Sequence, residues 1–355
     1  MLRNMKSKVS LNKLSKHRAV FMGLAIIFVM LCHNTLKVPE SLKTTHSVLS
    51  AMCQCGVDMF MILSGLGLYY SFYKNSAVGQ FWKKRITKIL IPYCIAVAIY
   101  AFVYVGYLKH ATIGEYLWRY SLISFYIDAE LVIWFVAAIL TLYGIFPAMY
   151  HGLQRSAKGF IWCILGVIVT CVIVSYLPLS RELIIINEIF ISRVPAFMTG
   201  MIVAKMLKEQ KDPEILTWQV WIGFLASGLA FVWVELSGMG NWWTLGRLLF
   251  LPFTFCGMLL LGIVLDRGSE KAKKYKGLVF LGGITFELFL WHDKILSTID
   301  DFLYLFPYNE MVLSLCSNIL AIGLSIFGAW LLNKIVEFLT KGKKAKVGAQ
   351  DKQTN

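Results

Sequence analysis

Apolar residues come in long runs separated by short polar clusters, and ten of these runs are about twenty residues long. A run of that length spans a hydrocarbon core of roughly 30 Å as a helix. The predicted spans are 18–36, 50–72, 86–107, 129–150, 160–177, 183–207, 218–237, 244–265, 278–298 and 311–337. The aromatic-rich segment 113–127, which contains Arg119, is expected to lie at the interface. Residues 1–17 read as a basic cytoplasmic segment, a frayed or interfacial helix, and 338–355 as a Lys-rich cytoplasmic tail without fixed structure. The expected fold is all-α: a polytopic integral membrane protein with about ten transmembrane helices around a polar central cavity, its membrane domain covering 18–337.

Polar positions interrupt the apolar pattern at particular depths. Span one ends at His33. Span two carries Asp58 in its outer half and Ser64 near its middle. Glu130 sits where span four meets the outer face, and Arg193 lies one to two turns into span six below Asn187 and Glu188. Arg247 is at the outer end of span eight, and span nine carries Glu287, His292 and Asp293. Ionisable groups in lipid cost several kcal/mol unless they face protein or water. Six helices placing such groups in one layer, somewhat outside the midplane, point to a shared cavity. For any single residue a satisfied interhelical hydrogen bond is an equal alternative.

Composition agrees with a membrane protein. Hydrophobic residues make up 58% of the 355 and charged residues 15%, where soluble domains average about 45–50% apolar. The net charge of +15 does not imply nucleic acid, because its placement alternates. Twenty-six Lys and Arg fall in the termini and alternate loops, against five (Lys37, Lys43, Lys109, Arg119 and Arg181) on the opposite side. By the positive-inside rule both termini are cytoplasmic. The Cys53-x-Cys55 pair has no second pair to complete a metal site, and no metal is expected. Most of the eight cysteines lie in apolar runs as small buried thiols.

Histidine takes up protons near neutral pH, so His33 beside carboxylates is equipped to deprotonate a hydroxyl or to carry an acyl group. The cytoplasmic Lys83, Lys84, Arg85 and Lys88, with the lysines of 271–276, could hold a polyanionic donor by charge. Ordinary positive-inside charge explains the same collar.

Six blocks, in order, resemble the multispan membrane acyltransferases of family 3, which include O-acetyltransferases of bacterial surface carbohydrates. Gly23–His33 is similar to the family's first-helix block ending in an essential histidine, and Gly56–Gly65 to its second-helix block closing in Ser-Gly. Phe81–Tyr93 resembles the basic block with Pro-Tyr, and Trp134-Phe135 the Trp-Phe pair. Arg193–Gly200 resembles Arg-x-Pro-x-Phe-x-x-Gly, and Gly283–His292 the Ser-Tyr-x-x-Tyr-Leu-x-His block. Many members carry an arginine eleven residues before the histidine. Here that position is Met22, and Arg18 lies one turn earlier on a similar face.

The resemblance implies an integral membrane O-acyltransferase of a bacterial cell membrane. It would move an acetyl or other short acyl group from cytoplasmic acyl-CoA, a co-substrate rather than a permanently bound cofactor, to a hydroxyl of a cell-envelope polysaccharide or glycolipid. His33 is the expected base or acyl carrier, with Asp58 and Glu130 orienting it or the acceptor. Arg18, Ser64, Lys84, Arg85, Arg193, Arg247, Glu287 and His292 are expected to contact donor or acceptor. Partners would be the lipid bilayer and either a second copy or a separate extracytoplasmic transferase. The alternative is a transporter of a lipid-linked or small sugar with a His/carboxylate site.

Overall fold

A computed structural model describes residues 7–107, 112–213, 215–237, 243–267, 275–303 and 309–350. Among these the chain is almost entirely helical. The first half comprises α1 (Asn12–Lys16), α2 (Arg18–Cys32), α3 (Lys43–Met52), α4 (Cys55–Lys74), α5 (Val78–Ala101), α6 (Ile113–Arg119), α7 (Ser124–Asp128) and α8 (Trp134–Arg155). The second half comprises α9 (Ala157–Ser175), α10 (Arg181–Ile189), α11 (Val194–Lys208), α12 (Thr217–Ser237), α13 (Trp243–Arg267), α14 (Lys276–Gly283), α15 (Thr285–Leu303) and α16 (Glu310–Gln350). The described strand is a single antiparallel pair, β1 (Lys8–Val9) with β2 (Ile215–Leu216).

Seven stretches among the described residues are helical, long and apolar enough to cross a membrane. They are Glu40–Lys74, Trp134–Arg155, Ala157–Ser175, Arg181–Lys208, Thr217–Ser237, Thr244–Arg267 and Glu310–Thr340. The other three predicted spans coincide with helices of a different kind. The fifteen residues of α2 reach only about 22 Å at 1.5 Å per residue. The first turns of α5 carry Lys83, Lys84, Arg85 and Lys88. The ninth span is divided at Ile284 into α14 and α15. The chain is thus a multi-pass helical membrane protein. Its outer surface is apolar, with Trp162, Val169, Leu229 and Trp233 more than half exposed on α9 and α12.

Helices at the centre meet backbone to backbone. A Cβ on Gly65 of α4 would stand 2.0 Å from the Phe197 carbonyl oxygen, and one on Gly200 of α11 would stand 2.0 Å from that of Ile62. The pair therefore packs only because both contact positions lack a side chain, the usual device where helices associate in lipid without a hydrophobic driving force. Gly23 on α2 and Gly282 on α14 make an equivalent contact.

Two helices are interrupted inside the bundle. A short 3-10 segment, Ile191–Arg193, separates α10 from α11, with a proline in the first turn of α11. The break at Ile284 starts α15 afresh just before Glu287. Irregular backbone at such depth is tolerated where protein surrounds it, and Ser192, Arg193, Ile284 and Thr285 are all buried.

The basic N-terminal segment is docked, in contrast to the frayed or interfacial helix expected. β1 pairs with β2, the Leu11 amide donates to Asp212 (2.9 Å) and Ser10 also donates to that carboxylate. Lys13, Lys16 and His17 converge on Asp266 at the end of α13, with Lys16 at 2.6 Å and His17 Nε2 at 2.8 Å. Val9, Leu11 and Leu14 are buried beneath.

Candidate active site

His33 is the C-terminal cap of α2, its amide still donating to the Val29 carbonyl. The chain beyond it is tied on both sides. Asn34 donates to Ser50 of α3 (2.8 Å), and Asn318 of α16 exchanges hydrogen bonds with Thr35 (3.0 and 3.3 Å). The ring thus sits on an anchored corner. Its Nδ1 lies 3.5 Å from Asp293 Oδ1. That carboxylate favours the tautomer with the proton on Nδ1, leaving the Nε2 lone pair for a substrate.

His292 stands edge-on to His33, ring centroids 5.0 Å apart. Its Nδ1 lies 3.0 Å from the Phe289 carbonyl and 3.2 Å from that of Leu288, so Nδ1 carries the proton and donates. His292 Nε2 is buried without a hydrogen-bond partner, and the residue is 6% exposed. The two histidines, Asp293 and Lys294 line one pocket of about 60 Å³, whose walls include Tyr93, Tyr100, Tyr120 and Trp134.

A second cavity, of about 240 Å³, lies nearer the lysine-rich end. Arg18, Arg85 and Lys88 line it together with Ser64 and Tyr143, and no carboxylate is among its lining residues. The Arg18 Nε donates to the Leu63 carbonyl (3.2 Å). Its guanidinium fits because position 67 is glycine: a Cβ there would stand 2.8 Å from Nη2. Arg85 Nε is buried with no hydrogen bond. Met22 lines the same space as Arg18. Arg18 and Arg85 repel one another and Lys88, which Glu287 offsets from outside the lining, and an anionic ligand would relieve that repulsion.

A basic surface groove between α5 and the end of α16 adjoins this cavity. Gln80, Lys83, Lys84, Thr87 and Thr340 line it, and Lys88 belongs to both groove and cavity. On the opposite side Phe289 lines both the cavity and the histidine pocket. Groove, cavity and pocket therefore follow one another, joined at Lys88 and at Phe289.

The remaining candidates lie elsewhere. Asp58 and Arg193 are 1% and 3% exposed and face each other at 3.7 Å (Oδ2 to Nε) between α4 and the start of α11. Arg193 also donates to the Ile189 carbonyl (2.5 Å) and lies over the Trp134 ring at 5.3 Å. That indole is also part of the histidine pocket's wall. Arg247 is in electrostatic range of Asp58, Arg193 and Glu188. Glu130 pairs with Arg119 (3.0 Å) just after Ala129, which adopts a positive φ of 52°, and the pocket wall begins at the next residue, Leu131. Glu287 accepts from Asn333 of α16 at 3.0 Å. Lys271, Lys273 and Lys274 lie outside the described residues. No group of His, Cys, Asp and Glu suited to a metal ion occurs among the described residues.

A family model for an acyltransferase domain, that of membrane acyltransferase family 3, matches residues 22–334. The chain belongs to this family. The match runs from the α2 residue that lines the cation cavity, Met22, to Lys334 in α16, so groove, both cavities and the histidines fall within the acyltransferase domain apart from Arg18 and the α16 residues that border the groove. Comparison with curated proteins and with solved structures finds no match.

Within that domain the structure draws attention to residues beyond the expected set. Asp293 rather than Asp58 or Glu130 is the carboxylate beside His33. Its position next to His292 was the available sequence signal. Lys88, already among the cations expected to hold a polyanionic donor, and Phe289 join the spaces, and that joint lining gives no signal in the sequence.

Proposed function

We propose that this family member is an integral membrane O-acyltransferase that takes a short acyl group, acetyl in the first instance, from acyl-CoA. The acceptor is a hydroxyl on a cell-envelope polysaccharide or glycolipid. The observation that carries this reading is the series of three spaces: a lysine-rich groove, a carboxylate-free cation cavity and a histidine pocket, in contact at Lys88 and Phe289. A donor with phosphates at one end and a thioester at the other matches that polarity. Lys83, Lys84 and Lys88 suit the nucleotide phosphates, and Arg18 and Arg85 suit the pyrophosphate, with Arg18 taking the part of the family arginine absent at Met22.

In this mechanism His33 Nε2 accepts the proton of the acceptor hydroxyl as the oxygen attacks the thioester carbonyl. The C–S bond breaks, the ester forms, and the CoA thiolate recovers the proton from the imidazolium. Asp293 stabilises that imidazolium, and Lys294 supplies positive charge for the developing oxyanion. A sugar ring is too large for the pocket of about 60 Å³, so the acceptor would lie outside it and extend its hydroxyl to the half-exposed His33. The charge pattern supports ten passes with both termini cytoplasmic in a bacterial plasma membrane, so the donor enters from the cytoplasm and the acceptor is met outside.

The test uses purified protein and radiolabelled acetyl-CoA. Wild type is expected to release CoA or become labelled, His33→Ala to lose that activity by at least ~10²-fold, and Arg85→Met to raise the concentration of donor needed. Sugar flux across vesicles with no CoA release would overturn the reading in favour of transport.

A further inference from the structure

The cation cavity and the histidine pocket abut at an aromatic contact. Phe135 of α8 and Phe289 of α15 have ring centroids 4.4 Å apart, and both line the cavity while Phe289 also lines the pocket. Phe135 is 7% exposed and braced by Phe60 at 6.2 Å. Phe289 is half-buried and lies one helical turn before His292, whose Nδ1–H its carbonyl accepts. Phe289 is thus the less buried of the two, although its ring also packs on the core and lies 5.6 Å from that of His292. Beyond them the pocket offers only about 60 Å³, room for a few methyl-sized groups.

We propose that Phe135 and Phe289 form the acyl-length filter of the enzyme, admitting a two- or three-carbon acyl group to the histidines and excluding longer chains. This rests on the acyl-CoA reading above. For the thioester carbonyl to meet a hydroxyl at His33, sulfur must lie near the Phe135–Phe289 contact and the alkyl tail must fit the small space past it. Phe135 forms the more buried side of the opening and Phe289 the side shared with the pocket. Truncating Phe289 merges pocket and cavity, so longer tails gain somewhere to lie. Truncating Phe135 also unsettles its packing against Phe60, which makes Phe289 the better probe.

The test needs no acceptor. Binding of CoA and of its S-ethyl, S-butyl and S-hexyl thioethers is measured by calorimetry for wild type, Phe289→Ala and Phe289→Trp in lipid nanodiscs. Wild type is expected to bind S-hexyl-CoA at least ~10-fold more weakly than S-ethyl-CoA, the discrimination that a tight apolar pocket gives for added methylenes. In Phe289→Ala that ratio, taken relative to each protein's own affinity for CoA, falls towards one, and in Phe289→Trp S-butyl-CoA is excluded as well. Normal CoA binding with the same length dependence in all three proteins overturns the filter alone. Failure of the wild type to bind CoA overturns the donor reading and the filter with it.

Discussion

At the scale of residues, the site turns on which carboxylate meets which base. Asp293 stands 3.5 Å from His33 Nδ1, whereas Asp58 is spent on Arg193. Asp293→Asn is expected to keep membrane abundance while reducing CoA release from acetyl-CoA by about 10²–10⁴-fold, the range of general-base catalysis, because the amide can present its N–H to Nδ1 and so favour the wrong tautomer. Activity within a few-fold of wild type would remove Asp293 from the mechanism. The histidines were legible in the sequence because an ionisable group in an apolar run is conspicuous. Their partners were not. Depth along a helix places His33, Asp58 and Asp293 in one layer, but only the rotation of each helix about its axis decides which of them face each other. Asp58 faces α11, where it neutralises Arg193. A buried pair of this kind is costly to break from one side, since the remaining charge has no solvent.

At the scale of elements, hydropathy located the helices well and their interruptions poorly. The run 183–207 reads as one span despite Asn187, Glu188 and Arg193, yet the chain leaves the α-helix at Ile191–Arg193. Pro195 explains why α11 restarts where it does, since a proline is accommodated in the first turn of a helix and not in its interior. The run 278–298 likewise hides the break at Ile284. The two-residue strand pair is too short for any period to reveal. Glycines give a sharper element-scale prediction. Gly200→Ala places a Cβ 2.0 Å from the Ile62 carbonyl oxygen, backbone that cannot swing aside. It is expected to destabilise the α4–α11 pair by about 1–3 kcal/mol and to lower the detergent melting temperature, whereas alanine at Gly166, which faces open space, should leave it unchanged. Equal melting of the two variants would contradict the close packing.

At the scale of the whole molecule, the proposed chemistry is directional. The lysine groove and the histidine pocket occupy successive positions along one path, so the donor should be usable from one face only. In oriented vesicles, acetyl-CoA, which does not cross lipid, is expected to support CoA release only when supplied to the face bearing the N-terminal lysines. Equal activity from either face would refute the polarity. All-helical architecture and membrane character were readable from the alternation of apolar runs and basic clusters. The succession of spaces was not, because it is made by side chains from α2, α4, α5, α8 and α15 whose common lining is a property of packing. The docked N-terminal segment was also hidden: its lysines read as topology signals, yet Lys13, Lys16 and His17 close on a single carboxylate, Asp266.

The contact of Phe135 with Phe289 has a consequence unrelated to acyl groups. A membrane that carries a voltage and a proton gradient stores energy, at about 2.3 kcal/mol for each charge per 100 mV. A polar route from a lysine groove to a pair of imidazoles, if filled with water, would be a proton wire that discharges this store. Two phenyl rings tilted at 37° with centroids 4.4 Å apart leave no room for a water chain between them. At this contact the rings would break such a wire, and under the proposed function a passing acyl group would itself fill the gap it opens.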